Sequence, residues 1–196
     1  MLARVLAWVA AALIGGALGV ASAWAALEFG RASFMERYGA WTHSRAAGSA
    51  AADPYTRAVI AREGLLALSA REALYFNLNE DEHGRPLSEA CVYELTGRPL
   101  EARWWSVTLY ARDNFLARNN DHAAAIDATR IRYGGDRLWR ARIAPVRGEA
   151  AHWLSSRNTH SDFSLTLRVY HPRHAFAPSQ AALPALTTLS CAGDAP

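Results

Sequence analysis

The sequence contains no lysine, since all 21 of its basic residues are arginine. Together with the excess of alanine, this indicates genomic GC bias, so the pI near 9.1 is no sign of a nucleic-acid partner. The chain also lacks the recognition helix and the stacking motif of nucleic-acid binders. Two cysteines are too few for a disulfide-dense mini-protein or a four-cysteine zinc site. The length of 196 residues predicts one domain with an attachment.

Motifs for phosphates, cofactors and metals are missing as well. The chain has no P-loop, no G-x-G-x-x-G fingerprint and no G-x-S-x-G elbow. Its seven histidines lack the helical i, i+4 spacing and the paired cysteines of zinc sites, so we expect no metal and no cofactor. Ser155 or Ser156, His160 and Asp162 supply the residue types of a nucleophilic Ser/His/Asp triad. A loop rich in Ser, Asn and His is ordinary loop chemistry, however, and does not indicate acyl transfer.

The first 27 residues contain the longest apolar run. Between Val5 and Leu27 there are 23 consecutive residues without a charge. As a helix they would be roughly 34 Å long, enough to cross a hydrocarbon core of about 30 Å. Trp8 and Trp24 lie near the two ends, where indoles favour the headgroup region. Residues 1–27 are therefore predicted to be a transmembrane anchor. The alternative is a cleaved signal peptide, with Ala21-Ser22-Ala23 as the cleavage site.

Segments of different character follow the anchor. Residues 28–52 are predicted to form a juxtamembrane helix and a small-residue linker. Asp53 and Pro54 are typical of a helix N-cap and first position, and that helix is expected to run to about Glu72. Residues 53–191 are assigned to one domain, and residues 192–196 to a tail.

Within that domain the hydrophobic period changes to two. Alternation is clearest over residues 74–78, 91–95, 103–110 and 163–170, and residues 130–143 suggest a hairpin around Gly134-Gly135. Clean alternation indicates sheets with one buried and one wetter face. The predicted fold class is mainly β: an antiparallel β-sandwich or jelly-roll-like domain with one or two helices, preceded by an N-terminal transmembrane helix.

Several of these motifs recur in a known family in the same order. They are Trp104–Tyr110, Asp113–Leu116, Asn119-Asn120, His152–Leu154 and Phe163–Tyr170. Their order resembles the bacterial family known as domain of unknown function 1214. Further motifs resemble its short, membrane-anchored branch: Asp53–Thr56, Leu74–Phe76 and Gly84–Leu87. The resemblance implies a β-rich, jelly-roll-like domain in the cell envelope and transfers no catalytic residue. The segment Asp121–Ile126 departs from the family pattern, which would alter any site built on that loop.

Cys91 and Cys191 are predicted to form a disulfide if the domain is exported. The short branch of the family tends to carry cysteines at these two places. The alternative is two free, buried cysteines that behave as small hydrophobic residues. Because cytosolic disulfides are rare, the pairing favours a periplasmic domain on a single-pass inner-membrane anchor. Charge alone does not settle the orientation, since Arg31, Arg37 and Arg45 lean weakly towards a cytoplasmic domain.

The candidate binding residues are Trp104, Tyr110, Arg168 and Tyr170, on the wetter faces of two predicted strands. Aromatic rings around one arginine suit an anionic or carbohydrate-like ligand. Alternatively, these residues pack under the helix that begins at Pro54, with Arg168 capped by an acidic neighbour. The predicted function is a ligand- or partner-binding or structural module of the cell envelope, whose partners are the membrane and an envelope protein or small molecule. The rival is an envelope enzyme with a cleft between these residues and the loop of residues 152–162.

Arginines 130, 132, 137, 140 and 142 form a basic surface around the predicted hairpin. Facing a membrane, such a surface could contact anionic headgroups.

Overall fold

The computed structural model describes residues 1–29, 35–44, 48–49, 52–62, 68–173, 176 and 178–192. Within these residues there are two helices, α1 (Leu2–Phe29) and α2 (Pro54–Arg62). The strands are β1 (Glu36–Tyr38), β2 (Trp41–His43), β3 (Ala73–Leu78), β4 (Cys91–Gly97), β5 (Ala102–Ala111), β6 (Ala125–Asp127), β7 (Trp139–Ala144), β8 (Trp153–Ser155), β9 (Phe163–Pro172) and β10 (Ala185–Cys191).

The strands form two sheets that face each other across one core. The larger sheet is antiparallel, in the order β1-β2-β3-β9-β5-β6. The smaller has the order β10-β4-β7-β8, and its last pair, β7 and β8, is parallel. The indole rings of Trp105 and Trp139 stack between the sheets with centroids 5.0 Å apart. The phenol ring of Tyr93 packs edge-on against Phe163 at 5.9 Å. The fold is therefore mainly β, as predicted.

The predicted alternation coincides with the observed strands. In β4 every second side chain is buried, beginning with Cys91, Tyr93 and Leu95. In β5 and β9 the inward residues are fully or nearly fully buried: Trp105, Val107, Leu109, Phe163, Leu165, Leu167 and Val169. Burial of these side chains is the dominant favourable contribution to the fold. The regular period explains why these strands could be located from the sequence.

The juxtamembrane helix predicted over residues 28–52 is wrong for residues 36–43, which form the hairpin β1–β2. Trp41 explains the difference, because its side chain is only 2% exposed and joins the core. Its indole N–H donates to the carbonyl oxygen of Pro184 at 2.6 Å. If residues 36–43 were helical, the pairing of Thr42 and His43 with β3 would also be lost. Most of the predicted linker and tail, residues 45–47, 50–51 and 193–196, lie outside the described residues.

The predicted hairpin around Gly134-Gly135 is also wrong in part. The turn exists, since the Gly134 N–H donates to the Leu138 carbonyl at 2.7 Å. Residues 130–133 form no strand, however, because their amides have other acceptors. The N–H groups of Arg130 and Ile131 donate to Asp127, and that of Arg132 to the His152 ring. The second predicted strand, β7, pairs with β4 and β8 instead.

Asp53 caps α2 as predicted. Its carboxylate accepts the backbone N–H groups of Tyr55 at 2.8 Å and of Thr56 at 3.1 Å, the donors left free at a helix start. The helix is described only to Arg62, residues 63–67 lie outside the described residues, and Ala70–Glu72 form a turn. The predicted continuation of the helix to Glu72 is therefore wrong at its end.

The N-terminal helix α1 is the helix of the described chain that is long and apolar enough to cross a membrane, over Leu2–Leu27. None of this span is buried against the domain. An apolar surface of this length is unfavourable in water, so the helix could serve as an anchor or as a signal sequence.

Cys91 and Cys191 lie opposite each other where β4 begins and β10 ends. They are joined by a disulfide. A disulfide is typical of proteins from an oxidising compartment.

Candidate functional site

The four candidate binding residues share the outer face of the larger sheet. Side chains alternate across a strand, so Trp104 and Tyr110 of β5 point to the same face as Arg168 and Tyr170 of the adjacent β9. The strand register places Trp104 beside Tyr170 and Ser106 beside Arg168. The structure therefore brings all four onto one surface, and each is partly buried.

Arg168 lies between neutral neighbours. One terminal nitrogen donates to the Tyr110 hydroxyl at 2.8 Å, and the other is 3.3 Å from the Thr108 hydroxyl. The guanidinium carbon lies 5.5 Å from the centroid of the Tyr110 ring, within cation–π range. Among the described residues, no carboxylate lies within ion-pair distance of Arg168. The predicted acidic cap is therefore not present in this part of the chain.

Trp104 and Tyr170 form the aromatic half of the surface. Their ring centroids are 5.3 Å apart and their planes are tilted by 52°. The Trp104 indole N–H donates to the Thr129 hydroxyl at 2.9 Å, which holds the ring in place. A fixed ring pair offers an apolar surface next to a cation. Such a surface suits a ring-shaped ligand that carries an acidic group.

The prediction from sequence missed part of this surface on β3. Tyr75 is paired with Arg168 and Asn77 with Thr166 in the strand register. The Thr166 hydroxyl donates to the Asn77 side chain at 2.9 Å, and the Tyr75 hydroxyl accepts the Leu68 N–H at 3.1 Å. Period-two alternation does place Tyr75 and Asn77 on one face. It does not indicate which strand lies beside β9.

An ion pair between Arg157 and Asp121 joins the loop of residues 152–162 to the segment Asp121–Ile126, which departs from the family pattern. Asp121 accepts hydrogen bonds from two nitrogens of the Arg157 guanidinium and, at 2.6 Å, from the Ser155 hydroxyl. These contacts, led by Arg157, hold the pKa of Asp121 below its usual range. The backbone N–H groups of Asn158 and His160 donate to Glu89. Ser155 thus faces Asp121, and the described contacts do not assemble the triad with His160 and Asp162.

A cavity of about 570 Å³ lies beside this loop. Its lining residues come from two segments, 121–132 and 147–153, and they do not include Trp104, Tyr110 or Arg168. His152 lies in the wall and its Nε2 accepts the Arg132 backbone N–H at 2.8 Å. Burial lowers the pKa of His152, and the positive charge of Arg132 lowers it further. The cavity and the aromatic–arginine surface are separate features, so the single cleft of the rival enzyme hypothesis is not formed by these residues.

Among the described residues, no group of three or more His, Cys, Asp or Glu side chains is arranged to hold a metal ion. The two carboxylates that line the cavity form ion pairs with arginines. Asp121 pairs with Arg157, and Asp127 pairs with Arg130 at 2.8 Å.

One solved structure shows a similar fold. The VPA0106 protein from Vibrio parahaemolyticus matches 71% of this chain with a TM-score of 0.58 and 19% sequence identity. The match covers 36% of that longer protein, and at this identity it speaks for the fold alone. An uncharacterised protein from Burkholderia cenocepacia matches 60% of this chain and 30% of its own, with a TM-score of 0.46 and 13% identity.

Comparison with curated proteins finds no match. The family model described as "Protein of unknown function (DUF1214)" matches residues 72–174, which is more than half of the chain. This protein is therefore a member of the DUF1214 family.

Proposed function

We propose that this protein is a ligand-binding module of the cell envelope, attached to the inner membrane by α1 with its β-rich domain in the periplasm. The ligand is an anion, a carboxylate or phosphate, attached to a sugar ring or an aromatic ring. It binds the outer face of the larger sheet at Trp104, Tyr110, Arg168 and Tyr170.

The observation that carries the proposal is Arg168. A guanidinium is always charged at physiological pH, and partial burial of a charge is costly unless a partner compensates it. Among the described residues, Arg168 donates to the neutral hydroxyls of Tyr110 and Thr108 and lies within ion-pair distance of no carboxylate. A bound carboxylate or phosphate would supply a negative charge in the bidentate geometry that guanidinium groups favour.

The position of the aromatic pair supports a ring beside that acidic group. Trp104 and Tyr170 lie opposite each other across β5 and β9, two residues along each strand from the Ser106–Arg168 pair. Neighbouring positions on one sheet face are about 7 Å apart along a strand, which is the size of a sugar ring. One ligand could therefore contact the guanidinium and the rings together.

The binding proposal is tested with D-galacturonate, which has a sugar ring and a carboxylate. We expect saturable binding by titration calorimetry to the full chain in detergent, and weaker binding of the neutral sugar D-galactose. Arg168→Gln should weaken binding more than about tenfold, because a charged hydrogen bond contributes about 1.5–3 kcal/mol. Arg98→Gln, an exposed arginine outside the site, is the matched control. Equal binding by the Arg168→Gln and Arg98→Gln variants would refute the site.

The proposed location is tested by the intact mass of the protein from membrane fractions, with and without reduction before thiol alkylation under denaturing conditions. An uncleaved anchor and a periplasmic disulfide predict the full-length mass, with no alkylation until the protein is reduced. Two labels without reduction would argue for a cytoplasmic domain. Loss of about 23 residues would identify a signal peptide and a soluble periplasmic protein.

A further inference from the structure

The cavity of about 570 Å³ lies where the edges of the two sheets meet. One wall contains β6, the edge strand of the larger sheet, with residues on both sides of it. The other wall leads into β8, the edge strand of the smaller sheet. Loops that run past two open strand edges leave a groove that the core does not fill. The volume is within the range of small-molecule sites, about 300–1,000 Å³.

Two arginines in this groove have no acidic partner among the described residues. Arg130 is paired with Asp127 at 2.8 Å, and Asp121 is paired with Arg157 outside the lining, so these carboxylates are occupied. Arg132 and Arg147 also line the groove, one in each wall. No carboxylate of the described chain lies within ion-pair distance of either. The groove therefore has an excess of positive charge.

His152, in the same wall as Arg147, provides a further donor. The Arg132 backbone N–H donates to Nε2 of His152 at 2.8 Å. Because an accepting ring nitrogen carries no proton, the neutral His152 ring has its proton on Nδ1. This Nδ1–H has no hydrogen-bond acceptor among the described residues. An anion between the two walls could accept it together with the arginine N–H groups.

Part of the groove lining is apolar and held in place by the core. Ile126 and Ile131 are 7% and 8% exposed and belong to the core, so their remaining surface forms a fixed base. The Trp153 ring is held by its indole N–H, which donates to the Ala144 carbonyl at 2.9 Å. Apolar surface fixed in this way favours a ring or a short alkyl group over water.

We propose that this groove is a second ligand site, for a phosphate or carboxylate attached to an aromatic or short alkyl group. Arg132 and Arg147 bind the anion from opposite walls, and Ile126, Ile131 and Trp153 contact the apolar part. The site shares no residue with the surface around Arg168, so it can be tested independently of the function proposed above.

The test is titration calorimetry of phenyl phosphate into the full chain in detergent. We expect saturable binding with a stoichiometry of one, and no measurable heat from benzyl alcohol, which has the ring without the anion. The double variant Arg132→Gln/Arg147→Gln should weaken binding at least about tenfold, since it removes two charge-assisted contacts. The matched control is Arg98→Gln/Arg137→Gln, which removes two exposed arginines that do not line the groove.

Three outcomes would overturn this site. They are no saturable binding to the parent protein, undiminished binding to the Arg132→Gln/Arg147→Gln variant, and an equal loss in the control pair. Binding that is lost in Arg168→Gln but kept in the Arg132→Gln/Arg147→Gln variant would place the ligand on the outer sheet face. Far-UV circular dichroism of each variant confirms that the fold is retained, and both exchanged residues are exposed in each pair.

Discussion

Opening the disulfide between Cys91 and Cys191 should lower the free energy of unfolding substantially. The bond joins the start of β4 to the end of β10, and the two cysteines are separated by 100 residues in the sequence. A cross-link over so long a loop restricts the unfolded chain strongly. The chain-entropy model gives about 4.7 kcal/mol for a loop of this size.

The same bond also has a local effect, because β10 has few other side-chain contacts with the core. Leu186 is its buried apolar residue, and most of its other side chains are exposed. The Thr188 backbone N–H and hydroxyl donate to Glu82 at 2.7 and 3.0 Å, at the protein surface. Without the disulfide, the amides of β10 should therefore exchange with solvent before those of β4 and β9.

The assay is urea unfolding of the full chain in detergent, followed by tryptophan fluorescence, to which the buried, stacked Trp105–Trp139 pair contributes. With a denaturant dependence of roughly 2 kcal/mol per molar urea, a loss of about 4.7 kcal/mol moves the midpoint by about 2 M. The control is a Cys91→Ala/Cys191→Ala variant, whose midpoint should not respond to reductant. A midpoint that is equal for oxidised and reduced parent protein would refute the reasoning. So would β10 amides that stay as protected as those of β9.

Two further perturbations test the core and an acidic turn. Gly97→Ala should destabilise the fold by about 1–3 kcal/mol, because the new Cβ would lie 2.3 Å from Cζ2 of buried Trp139; urea unfolding measures this. Asp81→Asn should destabilise the fold near neutral pH and progressively less as the pH falls below about 4, measured by urea unfolding at several pH values. Burial alone would raise the pKa of Asp81, but hydrogen bonds from Arg85 and His83 outweigh it and hold the pKa below its usual range.

The sign of the Asp81 effect follows from that lowered pKa. The folded state favours the carboxylate, so its stabilising contribution is complete above the unfolded pKa and is lost as the pH falls through the folded one. A parent-to-variant difference in the free energy of unfolding that grows on acidification would contradict this.

For the Gly97→Ala prediction, Gly135→Ala is the matched control, since its Cβ would meet no atom within 4 Å. Equal stability of the two alanine variants would contradict the proposed clash with Trp139.

Much of the fold could be predicted where a local pattern reports burial directly. Strands β4, β5 and β9 are regular because Tyr93, Leu109 and Leu167 must reach one core, and a period of two is the only way a strand achieves this. The cap at Asp53 was predictable for a related reason. A capping side chain contacts amides two and three residues away in its own chain, so the whole interaction is local.

The errors arose where a distant residue decides the conformation. The hairpin β1–β2 is only a few residues long and depends on Trp41 reaching Pro184, 143 residues away. Residues 130–132 satisfy the rules of a strand, yet their amides donate to Asp127 and His152. The parallel pairing of β7 with β8 likewise has no local signal. Short segments bury little surface of their own, so their partners determine what they form.

The amino-acid sequence alone determined the apolar helix at the N-terminus, the mainly β class, the long strands and the face on which Trp104, Tyr110, Arg168 and Tyr170 lie. These properties follow from composition and hydrophobic period, which act over a few residues. Tertiary structure alone decided that β5 and β9 are neighbours, that Arg168 contacts neutral hydroxyls, and that Arg132 and Arg147 line one groove. Such contacts depend on which strands pair across long stretches of chain, and pairing is selected by the packing of the whole core.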